Sequence, residues 1–78
     1  MTTEQVWELT KVNDWCDAKF YDEETGEIFL VELRKADGET IEDFIARCQD
    51  IADENFSDAR FYGLCSGLEA EHLGYDTY

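Results

Sequence analysis

Between Thr40 and Asn55 the apolar residues Ile41, Phe44, Ile45, Cys48, Ile51 and Ala52 recur three and four positions apart. That spacing gathers all six on one stripe of an α-helix, whereas a strand would scatter them over both faces. Thr40 is a suitable N-cap, and Glu42 and Asp43 fall in the first turn, where negative charge suits the helix dipole. The helix is expected to end near Asn55 or Ser57. Its stripe needs a cover, and the preceding sequence supplies one. Cys16, Ala18 and Phe20 alternate with Asp17, Lys19 and Tyr21. Asp22-Glu23-Glu24-Thr25-Gly26 then turns the chain into Ile28–Arg34, with Gly26 able to take positive φ in a hairpin loop. The second of these strands is apolar on both faces at its start, which places it centrally in a sheet.

The flanking segments are read with the same periodicities. Residues 6–12 alternate loosely, Trp7 and Leu9 against Glu8 and Thr10, and are expected to form a strand, although Thr2 and Gln5 would also cap a short helix. Ala59–Cys65 reads as a further strand, with Phe61 alternating against Tyr62. Ser66 and Glu69 resemble a capping box ahead of Leu68–Leu73, read as a short helix, with a strand as the other option. The last five residues, 74–78, form either a flexible tail or a docking strand. The expected fold is α+β: one domain over residues 1–78, with a small antiparallel sheet of about four strands and one amphipathic helix packed on one face.

Composition narrows the functional classes. Twenty Asp and Glu against six Lys and Arg give a net charge of −14. Direct binding of nucleic acid or of an anionic membrane is therefore disfavoured by long-range repulsion. The longest apolar run, Ile28-Phe29-Leu30-Val31, is far short of the roughly 20 residues that span a bilayer. The N-terminal Met-Thr-Thr-Glu-Gln is neither basic nor apolar, so a signal peptide is not expected and a cytoplasmic location is. Cys16, Cys48 and Cys65 are an odd set without C-x-x-C spacing, which suits reduced, buried thiols. Together with His72 they make a formal Cys₃His set, but without the short paired steps of structural zinc sites. The Asp22–Glu27 stretch lacks the register of a calcium-binding loop. Ser57 or Ser66 with His72 has neither a nucleophile elbow nor a glycine-rich oxyanion loop. No enzyme, no metal and no cofactor are expected.

The charge is concentrated. From Asp37 to Asp58 there are eight acids against one base, Arg47, and the hairpin loop adds Asp22, Glu23, Glu24 and Glu27 with no base. Asp50, Asp53 and Glu54 stand three and four residues apart near the expected C-terminus of the helix. Like charges at that spacing cost about 0.2–0.5 kcal/mol per pair, and acids at the negative end of the dipole add about 0.3–1 kcal/mol each. Such departures from local stability point to function.

In whole-chain character (short, strongly acidic, compact α+β) the sequence resembles the phage-encoded inhibitors of bacterial defence, anti-CRISPR proteins and DNA mimics among them. The resemblance implies stoichiometric binding to a defence complex, such as a CRISPR effector, in the host cytoplasm, with occupation of its nucleic-acid path. The carboxylates themselves suggest a contact surface for a basic, nucleic-acid-binding partner. It comprises Asp22, Glu23, Glu24 and Glu27 of the loop with Glu42, Asp43, Asp50, Asp53 and Glu54 of the helix. The competing expectation is a small structural or regulatory subunit whose acidity serves solubility and whose interface is apolar.

Overall fold

The structure is a computed structural model, and it describes residues 2–65 and 75–78. Its elements run α1 (Thr3–Leu9), β1 (Trp15–Asp22), β2 (Ile28–Arg34), α2 (Ile41–Asn55), β3 (Ala59–Cys65) and β4 (Asp76–Thr77). The four strands form one sheet in the order β3-β1-β2-β4. Pairing of β1 with β2 and with β3 is antiparallel, while β4 runs parallel to β2. The fold is α+β, but the sheet is mixed rather than purely antiparallel. The difference lies in the tail: Tyr78 N–H donates to Leu30 O at 2.8 Å, and Glu32 N–H donates to Tyr78 O at 2.9 Å. The short helix expected over residues 67–73 lies outside the described residues.

Residues 3–9 form a helix, not a strand. Both halves of the capping box are made: Gln5 N–H donates to Thr2 Oγ1 at 3.2 Å, and Thr2 N–H donates to Gln5 Oε1 at 2.8 Å. Satisfying two otherwise orphaned amides outweighs a loose alternation that only Val6 and Trp7 convert into burial. At the other end of α1, the Lys35 ammonium donates to Trp7 O at 2.9 Å and Thr10 O at 3.0 Å, and lies 4.2 Å from the centre of the Trp7 ring. A base distant in sequence thus neutralises the negative end of this helix.

The stripe on α2 faces the sheet. Phe44, Cys48 and Ala52 are fully buried against Cys16, Ala18 and Phe20 of β1, Phe29 and Val31 of β2, Leu64 of β3, and Val6 of α1. The hairpin closes as its residues dictate. Gly26 adopts φ +76° and donates its N–H to Asp22 O at 2.8 Å. On β3 an irregularity opposite Lys19 and Phe20 leaves Tyr62 unpaired, and Gly63 takes φ +144° there. One inserted residue flips strand parity, so Phe61 and Leu64 both turn to the core although they are three positions apart. Tyr62 is pushed outward, with the Lys19 ammonium 5.4 Å from its ring centre.

Candidate functional site

The chain direction of each element determines which charges meet. β1 runs from Trp15 to Asp22, β2 returns to Arg34, α2 runs back again, and β3 starts beside the β1–β2 loop. The loop and the α2–β3 connection therefore share one end of the molecule, and direct bonds join them. Ser57 Oγ donates a short hydrogen bond to Glu24 Oε2, and Glu23 N–H donates to Asp58 O at 3.1 Å. Gln49 ties the last turns of α2 to β3, donating from Nε2 to both Asp53 Oδ1 at 2.9 Å and Ala59 O at 3.0 Å.

Seven exposed carboxylates collect at this end: Glu23, Glu24, Glu27, Asp50, Asp53, Glu54 and Asp58. Among the described residues a single base, Arg60, accompanies them, and its Nε lies 2.8 Å from Glu23 Oε1. Both partners are open to water, so the pair contributes little to stability. Among the described residues the carboxylates of Glu27, Asp50, Glu54 and Asp58 have no hydrogen bond or ion pair. The final turn of α2 carries no base. Neutral groups bond here instead: Asn55 Nδ2 donates to Ile51 O at 2.8 Å, and the capping Phe56 N–H donates to Ala52 O at 2.8 Å.

Three of the residues expected in this surface do not belong to it. Asp22 is only 3% exposed. Its Oδ1 accepts from Glu24 N–H at 3.0 Å and its Oδ2 from Thr25 Oγ1 at 3.1 Å. An aspartate that organises its own turn has its lone pairs committed inward, so Asp22 shapes the loop rather than facing a partner. Glu42 and Asp43 lie in the first turn of α2, and twelve residues of helix place Glu42 about 18 Å from Glu54. The N-terminal half of α2 is held at the opposite end, where Arg47 Nη2 donates to Arg34 O at 3.0 Å. Asp58, which sequence reasoning counted in the acidic stretch but not in the surface, joins it because the α2–β3 connection folds against the loop.

The opposite end has another character. It holds Lys11, Arg34, Lys35 and Arg47, four of the six bases in the chain. Arg47 grips Glu39 with two bonds, Nε to Oε2 at 2.7 Å and Nη2 to Oε1 at 2.8 Å, and holds its carboxyl below the usual range. Leu9, Val12 and Trp15 are 70%, 43% and 53% exposed here, around a turn closed by Asp14 N–H donating to Lys11 O at 3.0 Å. Trp15 is not part of the core. Instead the Arg34 guanidinium lies 4.6 Å from its ring centre. Odd-numbered β1 residues face away from α2, and the first of them sits at the sheet's corner.

The thiols do not form a reactive centre. Cys16 and Cys48 pack in the core, and burial pushes them up to about 11 and about 12, so both stay protonated at neutral pH. Cys65 is buried as well, and none of the three forms a disulfide. Among the described residues no group of three or more His, Cys, Asp or Glu is arranged to hold a metal ion, and no helix is long and apolar enough to cross a membrane.

Compared with protein-family models, curated proteins and solved structures, the chain matches none.

Proposed function

We propose that this is a binding protein that inhibits a nucleic-acid-handling defence complex, anti-CRISPR-like, by occupying its basic nucleic-acid groove with the acidic end. One observation carries the reading. The Ser57–Glu24 and Glu23–Asp58 bonds bring the acidic loop against the segment that follows α2, at the end of the molecule where seven exposed carboxylates and, among the described residues, one base are found. The final turn of α2 carries no base to offset these charges. A nucleic-acid strand presents about one charge per 3.4 Å of axis, and a groove built for that density is complementary to closely spaced carboxylates. Electrostatic steering would speed the encounter, and most of the affinity would be lost as salt screens it.

The reading is tested by competition. Labelled duplex DNA is bound to each of a panel of purified bacterial CRISPR effector complexes, and the protein is titrated in. Displacement at about 0.05 M salt, with the protein's own affinity for the DNA-free complex falling at least tenfold by about 0.2 M, is the expected result. Absence of displacement across the panel overturns the proposal.

A second reading is favoured by the other end, where Leu9, Val12 and Trp15 are exposed around one turn. A small subunit docking through these side chains would bind its partner with little dependence on salt.

A further inference from the structure

On the sheet face turned away from α2, β1 and β2 bring two carboxyl groups directly opposite each other: Asp17 pairs with Glu32 in the register. Asp17 is only 2% exposed, and its Oδ1 has no hydrogen-bond partner. Like charges placed opposite across a strand pair repel, and a buried carboxylate with an orphaned oxygen is more costly still. No described base offsets them. Lys19, two residues along β1, has its ammonium over the Tyr62 ring. Arg34, two residues along β2, has its guanidinium over the Trp15 ring. Across β3 the residue opposite Asp17 is Cys65, and the C-terminal strand brings the Tyr78 backbone oxygen to the Glu32 N–H.

We propose that Asp17 and Glu32 hold one proton between them and form a pH-operated latch on the β1–β2 pair, closed in mild acid and strained above neutrality. With one proton present, the two groups make a carboxylic acid–carboxylate hydrogen bond. When that proton passes to solvent, two negative charges face each other across the central strands. Burial, reinforced by the hydrogen bond and charge of Glu32, pushes the Asp17 carboxyl up from 3.8 to about 7. The folded state thus binds a proton that the unfolded chain has released. Stability from this source is complete below the unfolded value and is lost as pH rises from about 4 through about 7. The same strands carry the acidic loop, and the backbone of Glu32 docks the C-terminal residue, so both are coupled to the latch. This inference is independent of the proposed partner.

The unaltered protein provides the first test. Its Asp17 side-chain carboxyl, followed by ¹³C NMR, is expected to titrate near 7. A midpoint in the ordinary range near 4 overturns the latch. The second test is thermal unfolding in about 1 M sodium chloride, where a Debye length of about 3 Å suppresses repulsion between exposed acids. Between about pH 5 and about pH 8 the melting midpoint should fall by about 10 °C. Asp17→Asn, whose amide is a permanent donor to Glu32, should remove at least half of that fall. An equal fall in the variant, or a flat profile in the unaltered protein, rejects the proposal.

Discussion

The two helices end in opposite electrostatic surroundings. At the C-terminus of α1, the Lys35 ammonium reaches across from beyond β2 to take two carbonyl oxygens and cover the Trp7 ring. The C-terminus of α2 has no base in its last turn; Asp50, Asp53 and Glu54 lie in its last two turns, and Asp58 just beyond them is bonded through its backbone to Glu23 of the loop. The fold can therefore place a cation at a helix end when that end only has to be stable. At the acidic end the sequence places carboxylates where the stability of the helix alone favours a base. A lysine at Asp53 or Glu54 would be the locally favourable choice.

The largest expected effect tests whether the two ends differ in function. Replacing Asp50, Asp53 and Glu54 together with Lys should weaken displacement of DNA from a responsive effector by about 100-fold, while stability holds or rises. The control, Glu42→Lys with Asp43→Lys, adds about two thirds as much positive charge at the other end and should change displacement less than about threefold. Equal losses in the two variants would mean that net charge acts, not the acidic end.

A smaller effect tests the stable end. Lys35→Met keeps most of the apolar stem but removes the charged donor, and should lower unfolding free energy by about 2 kcal/mol in urea denaturation. The same variant should leave displacement of DNA unchanged. A stability loss below about 0.5 kcal/mol would show that water serves the end of α1 equally well.

The smallest effect concerns self-repulsion. At neutral pH the melting midpoint should rise by about 3–5 °C as monovalent salt increases from about 0.01 M to about 0.15 M and the Debye length shortens from about 30 Å to about 8 Å. A flat or falling midpoint would mean that the carboxylates are already balanced within the fold.

Much of this architecture was legible in the sequence because it rests on local periodicity. The stripe from Ile41 to Ala52, the Thr40 cap, the alternation of Cys16, Ala18 and Phe20, and the positive φ of Gly26 each follow from residues a few positions apart. The α1 segment was misread because seven residues carry too little periodic signal, although its capping box was visible. The inserted residue at Tyr62 left a trace as well, in the three-residue spacing of Phe61 and Leu64.

Neither the composition of the acidic end nor the place of β4 could be read in the same way. Carboxylates in a sequence show only that charge is present, and whether they face water, a neighbouring base or their own turn depends on contacts across the chain. Asp22 turns inward, Glu39 is claimed by Arg47, and Asp58 joins the loop through a bond spanning 35 residues of sequence. Local spacing determined the helices and strands, because each is stabilised by bonds and burial between near neighbours. Which charges stand together was decided only by tertiary structure, because it depends on how β1, β2, α2 and β3 reverse direction and on which chain ends those reversals bring side by side.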